Sequence, residues 1–278
     1  IGVMSQPEDI CLLRHDGSGK NAFKNPLSFR YLDDNFIESD AVKIGKTFMD
    51  YLKKTKDPRI HVYCSLKDGN TEFDKQFGLP NGYDSHTIAD APSGSFVGLE
   101  NTSNFNINTI LRLDAPTIFL MPSETKLLLA EAVLRNWTNG NAEVLYKEAI
   151  TSSMKEQEIA YGTQGKITDE EIETYLAQNL FSTANNTEKL QIIGEQYWVA
   201  TFINGYESYA NWRRTGYPKL IPTNYSGSMS PGVIPTRLPY PTDEYSINRA
   251  NVDTANQQQG ADKVTTHISV SYTHLRAH

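Results

Sequence analysis

The segment from Leu190 to Pro218 constrains what this chain can fold into more than any other. Ile192, Ile193, Tyr197, Trp198, Val199, Ala200, Phe202 and Ile203 surround most of a helical projection. A helix running from Leu190 to Tyr209 is therefore expected to be buried on nearly all sides and to act as a central packing element. Its end is also legible. Arg213 and Arg214 fall in the last turn, where positive charge meets the exposed carbonyls, while Gly216 supplies a left-handed stop and Pro218 forbids continuation. Taken by themselves, Trp212 and the two arginines make a sound helix terminus.

The rest of the chain supplies further helices. Asp40 is expected to cap a helix through about Lys54, with Val42, Ile44, Phe48, Met49 and Leu52 as its apolar positions and Asp57-Pro58-Arg59 as its stop. Four helices then follow in two pairs between about residues 123 and 214. The first runs from about Ser123 to Trp137, with Leu127, Leu128, Leu129, Val133 and Leu134 inside and Glu124, Glu131 and Arg135 as a polar stripe. Asn141 caps the second, whose Ala142, Leu145, Tyr146, Ala149, Ile150 and Ser153 share one face. Thr168 and Glu171 make a capping box for the third, through about Gln178, and Thr187 caps the fourth, the buried helix. Short connections make partners antiparallel, as in a stack of helical hairpins. The pairs are spaced more widely than tetratricopeptide repeats and their residues do not repeat, so spacing alone does not establish a repeat protein.

Two stretches break the helical pattern. Asp68 to Asn108 is rich in Gly, Asn, Ser and Asp with aromatics spread through it, so it is either a functional loop or holds short strands that the sequence does not place. Ile221 to Pro241 carries five prolines with Gly227 and Gly232, which predicts an extended, ordered loop.

Composition narrows the function. At 278 residues, 38% hydrophobic and 21% charged, the chain is an ordinary globular sequence of one large domain or two sharing a core. No apolar run reaches bilayer length. The net charge of −7 and the lack of a basic cluster argue against nucleic acid and favour neutral or cationic ligands. Cys11 and Cys64 are read as two unrelated thiols. The opening Ile1-Gly2-Val3-Met4 has neither a charged nor an apolar leader region, so any targeting signal is expected outside this sequence, and Cys11 lacks the small preceding residues of a lipidated cysteine. No zinc-protease, nucleophile-elbow or phosphate-loop motif is present. His15, His61 and His86 are far apart, without metal spacing, and no cofactor is implied. Of the paired carboxylates Asp33-Asp34 and Glu170-Glu171, the second sits in a first helical turn, where acidic residues are expected.

Several of these pieces resemble a known family when taken in order. Met121 to Ala132, Ala142 to Ile150 with Ser153-Met154, the stretch from Tyr197 to Pro218, and Arg237-Leu238-Pro239-Tyr240-Pro241 with Glu244 and Asn248 resemble the motifs of SusD/RagB nutrient-binding lipoproteins. They are most similar to the second SusD-like subgroup. Glu131, Trp212, Arg213, Arg214, Gly216, Pro218, Arg237, Tyr240 and Pro241 carry the structural motif. The match runs from about Asp40 to Lys263 and covers the carboxy-terminal part of such a protein. It implies a mainly α fold, an α-α superhelix of tetratricopeptide-like helix pairs with long irregular loops. Residues 1–266 are expected to form a partial domain, and 267–278 to be a non-native tail that looks like translated adaptor sequence. Loss of the amino-terminal helices would expose apolar surface and lower solubility.

The resemblance implies a cell-surface, outer-membrane protein held by a lipid anchor missing from this chain. Such a protein binds glycans, or other oligomers such as peptides, and delivers them to a SusC-type TonB-dependent porin without catalysis. The family's binding residues vary, so none carries over. Sugar recognition uses flat aromatic faces and planar hydrogen-bonding side chains, which directs attention to Tyr83, Phe96 and Asn81 in the 68–108 loop. The alternative for these aromatics is packing, pinning a long loop to the helices. Rival readings are a helical-repeat adaptor for a protein partner and a glycoside hydrolase accessory domain.

Overall fold

A computed structural model describes residues 2–33, 42–83, 86–224 and 228–267. Asp34, Asp40, Gly227 and the tail from Ile268 lie outside the described residues. The chain divides into two compact units, Ile1–Ala200 and Thr201–His278.

The first unit is built on four long helices, α4 (Pro122–Leu134), α5 (Ala142–Tyr161), α6 (Asp169–Gln178) and α7 (Asn186–Ala200). Before them come α1 (Pro26–Asp33), α2 (Lys46–Thr55) and the single turn α3 (Ile60–Tyr63). The α5 helix follows its sequence pattern closely. Asn141 accepts from the amides of Glu143 and Val144, and Ala142, Tyr146, Ala149, Ile150 and Ser153 are buried, while Leu145 of the expected face is half-buried. The Thr168–Glu171 capping box forms on α6 as expected. The mainly α class is thus as the sequence implied, and the first pair forms with α4 lying along α5; in place of a second α6–α7 pair, α6 meets α5 and α7 meets both α4 and α5.

Four local expectations are corrected. The α7 helix is capped by Asn185 and not by Thr187: Asn185 accepts from the Glu188 amide while Glu188 accepts from the Asn185 amide. The glutamate three residues after Asn185 completes this reciprocal pair, whereas Leu190 stands three after Thr187. The helix expected from Asp40 begins only at Lys46. Ile44 and Lys46 instead exchange backbone hydrogen bonds with Leu79 (2.7 Å each), so this strip is held extended before the helix can start.

On α4 the expected faces are partly reversed. Leu127 is fully buried, but Leu128 is 43% exposed and Glu124 and Glu131 are buried. Three consecutive leucines turn about 100° each and cannot share one face. The small Ser123 and Ala130 are buried with Leu127, and Glu131 is held inside by Arg135 at 2.8 Å. Finally, the single helix expected from Leu190 to Tyr209 is two, since α7 ends at Ala200 and α8 (Gly205–Thr215) starts afresh. The β-branched Val199, Thr201 and Ile203 and the glycine at 205 weaken helix propensity here. Asn204 then recaps by accepting from the Glu207 amide, and the Thr201 and Ser208 hydroxyls meet at 2.7 Å. Burial does hold along α7, where Ile193, Gln196, Tyr197, Val199 and Ala200 are all inside.

The described residues of the 68–108 stretch form short pairings and turns. Cys64 and Ser65 (β2) pair antiparallel with Phe105 and Asn104 (β3), two residues each, too short for any alternation to register. Cys11–Leu13 (β1) pairs with Thr117–Leu120 (β4) in a second ribbon. Gly78 is required by space: a Cβ there would lie 2.4 Å from the Lys46 Cα.

In the second unit α8 ends as anticipated, with Gly216 left-handed at φ 73°. From Tyr217 to Pro241 the described residues hold no helix or strand, consistent with the prolines, and α9 (Thr242–Ile247) and α10 (Arg249–Gln259) follow.

Candidate functional site

The Asp57-Pro58-Arg59 stop carries more than a helix end. Lys56 turns left-handed at φ 52° and the chain reverses, which sends Asp57 and Arg59 inward and leaves Pro58 half-exposed. Both charged side chains are fully buried. The Arg59 guanidinium donates to both Asp57 oxygens (2.9 and 2.5 Å), to Ser153 Oγ on α5 (3.0 Å) and to Gln196 Oε1 on α7 (2.7 Å). Gln196 Nε2 in turn donates to the phenol oxygens of Tyr51 on α2 and Tyr175 on α6. Burial opposes the arginine's charge, but the adjoining Asp57 carboxylate outweighs it, so the guanidinium holds its proton more tightly than usual. Burial likewise pushes the Tyr51 and Tyr175 phenols well above their ordinary value. One polar network thus ties together four helices at the centre of the unit.

Above this network opens a cleft of about 600 Å³, within the size range of small-ligand sites. Pro58 and the buried Ile60 and Tyr175 line it, and Tyr175 also belongs to the network. Phe73 and Asp74 of the long loop line one side, and Glu170, Glu171 and Gln178 of α6 line the other, with Lys56 and His61 as the basic groups. The His61 ring nitrogen lies 3.3 Å from the Lys166 carbonyl. Glu171 Oε2 is already engaged by the Thr168 amide and hydroxyl, each at 2.8 Å.

The loop side is rigid for a specific reason. Gln76, fully buried, donates to the Asn70 carbonyl (2.9 Å) and accepts from Ser103 Oγ (2.8 Å), while Asn70 Oδ1 accepts from the Glu72 amide. The turn presenting Phe73 is therefore pinned at both ends.

The loop residues singled out from sequence sit elsewhere. Asn81 is exposed and its amide oxygen would lie 3.1 Å from a Cβ at Gly45, while Tyr83 and Phe96 are half-buried; none of the three lines the cleft. Sequence reasoning did not single out Phe73 or Gln178. The only signal for Phe73 was its membership of the same aromatic-rich loop.

A second internal anchor joins α4 to α5. The buried Glu156 carboxylate accepts from the Ser123 amide (2.9 Å), the Ser123 hydroxyl (2.6 Å) and the Ser152 hydroxyl (2.9 Å), so it caps the N-terminus of α4. Burial raises its pKa above the ordinary glutamate value, partly offset by those hydrogen bonds. Among the described residues no group of His, Cys, Asp and Glu is arranged to hold a metal. Cys11 is exposed, Cys64 buried, and both are free thiols.

The motif residues of the second unit are structural partners. Tyr209 and Trp212 stack at 6.1 Å, with the Arg213 guanidinium 5.6 Å from the Tyr209 ring centroid, and Arg214 donates to Asn211. Arg237 pairs with Asp262 at 2.8 Å, both side chains nearly buried, and lies over the Tyr240 ring. Asp262 also accepts from the Tyr240 amide and the Tyr245 hydroxyl. Asp262 is the hub here, and sequence reasoning passed over it.

A family model described as SusD-like, "Starch-binding associating with outer membrane", matches residues 1–241. A solved chitin-binding protein is 28% identical with a TM-score of 0.77, covering 98% of this chain and 57% of its own. A Bacteroidetes SusD-like structure is 22% identical with a TM-score of 0.78, covering 98% and 63%. A chitin-binding SusD homologue from Flavobacterium johnsoniae is 22% identical with a TM-score of 0.71, covering 98% and 56%. The chain thus spans about three-fifths of the length of these structures. No curated protein matches the sequence.

Proposed function

The chain belongs to the SusD-like family of starch-binding proteins that associate with the outer membrane, and from that premise we propose that it binds glycans or other oligomeric nutrients at the cell surface without catalysis. Delivery to a SusC-type TonB-dependent porin, and attachment through a lipid anchor outside this chain, belong to the same proposal. The observation that carries it is the family match over residues 1–241. It is supported by the 28% identical relative, which is named a chitin-binding protein. The motif residues have structural partners of their own: Arg237 and Tyr240 are tied to Asp262, and Trp212 and Arg213 pack on Tyr209 within α8, which leaves ligand contact to other positions. Tyr83, Phe96 and Asn81, loop residues of suitable chemistry that do not line the cleft, mark the alternative seat for the ligand.

Calorimetry of the full-length protein with chitooligosaccharides, maltooligosaccharides and short peptides tests the binding step, and co-purification from membranes tests the porin. Binding of at least one oligomer, intact after incubation, is the expected result. Absence of any ligand, together with no porin partner, would overturn it; release of shorter products would instead indicate an enzyme.

A further inference from the structure

The cleft over the Asp57–Arg59 pair has the parts that carbohydrate recognition needs. Phe73 supplies an aromatic ring half-exposed on a turn already pinned by buried Gln76, so little conformational entropy is lost when a ligand stacks there. Gln178 offers a planar amide on the exposed side of α6, and His61 a planar ring. Tyr175, which also lines the cleft, is held in place through Gln196 and Arg59. Charge then narrows the ligand. Asp74, Glu170 and Glu171 bring three carboxylates to the lining against the ammonium of Lys56, with the Lys53 ammonium donating to the Asp74 carbonyl at 3.3 Å beside it. An oligosaccharide carrying carboxylates would meet repulsion in such a site, while a neutral or amino sugar would not.

We propose that this cleft, and not the Tyr83–Phe96 region of the loop, seats a short neutral or cationic oligosaccharide, with Phe73 as the stacking platform and Gln178 as a hydrogen-bonding partner. The proposal rests on the glycan-binding reading above. It assigns specificity to the junction of three elements: the turn after α2, the 71–74 segment and α6.

The test uses the full-length protein and four probes: a chitooligosaccharide, its deacetylated counterpart, a maltooligosaccharide and an oligogalacturonide. At least one of the three uncharged or cationic probes should bind, and the oligogalacturonide should bind more weakly than that one by about tenfold or more. Phe73→Ala should weaken the productive probe about tenfold, the loss expected from exposing roughly half of a buried phenyl ring. Gln178→Ala, an exposed position whose change leaves folding untouched, should weaken it several-fold, which keeps the idea testable if Phe73→Ala misfolds. Tyr83→Ala and Phe96→Ala should stay within twofold of the parent. Unchanged affinity in both cleft variants, with loss in Tyr83→Ala or Phe96→Ala, would overturn the cleft and leave glycan binding standing. Failure of the parent protein to bind any of the four would overturn both, and oligogalacturonide binding as tight as the best probe would overturn the charge argument.

Discussion

Replacing Arg59 with methionine keeps an unbranched apolar stem, shortens the side chain and removes its guanidinium contacts in the first unit. Asp57, with no solvent exposure, would lose two short hydrogen bonds and keep only the one from the Arg59 amide at 3.0 Å. Ser153 and Gln196 would each lose a donor as well. Breaking a buried ion pair from one side costs about 3–5 kcal/mol, because the remaining charge is left in a poorly solvating interior. Some of the loss is recovered if the Ser153 hydroxyl rotates to a backbone carbonyl, so about 4 kcal/mol is the working figure. For a unit of this size that corresponds to a fall of about 8–16 °C in melting temperature. Urea unfolding followed by far-UV circular dichroism, with the chain and its variant at equal concentration, measures the difference directly. The double variant Asp57→Leu/Arg59→Met should recover at least half of the loss, since it leaves no orphaned charge. A single-variant loss below about 1 kcal/mol would refute the assigned role of the pair, as would a double variant less stable than either single one.

Three further outcomes follow from other sites. Glu156 has a folded pKa above its unfolded value of about 4.3, so the cost of ionising it is absent below that value and grows as pH rises towards the folded one. The stability of the parent relative to Glu156→Gln should therefore fall between pH 4 and pH 7, and a difference constant across that range in urea titrations would contradict the burial argument. Gly78→Ala places a methyl group 2.4 Å from the Lys46 Cα and should cost about 2 kcal/mol or more by overpacking, read as a lower urea midpoint; an unchanged midpoint would mean that the 44–46 strip moves freely. A thiol reagent should modify Cys11 quickly and Cys64 only on unfolding, because Cys64 is fully buried and its thiol is held well above the ordinary value; two fast thiols in native conditions would count against that burial.

What the sequence made legible was mostly local. Asn141, the Thr168–Glu171 box and Gly216 act within four residues of themselves, so residue order is enough to find them. The face of α5 was readable as far as Ile150, where Ala142, Tyr146, Ala149 and Ile150 keep helical spacing; beyond it Ser152, Ser153 and Met154 are buried in succession. The leucine run on α4 was not, since choosing among Leu127, Leu128 and Leu129 depends on which neighbour the helix meets. Asp57 and Arg59 read as polar residues at a helix stop, and only partners 94 and 137 positions away show that they are interior. The same holds for Asp262, whose partner Arg237 belongs to a motif while Asp262 itself lies beyond it. The cleft was the least accessible of all, because it joins side chains more than 100 positions apart that have no pattern in common.

The Asp57–Arg59 pair also sets an order of events during synthesis. Asp57 and Arg59 leave the ribosome well before Gln196, one of the acceptors for the guanidinium, which is made 137 residues after Arg59. At ordinary translation rates that interval lasts roughly 7–27 s. Through it, both charges are better served by water than by a half-built interior. The turn carrying them therefore completes its buried hydrogen bonds only once α7 has been made.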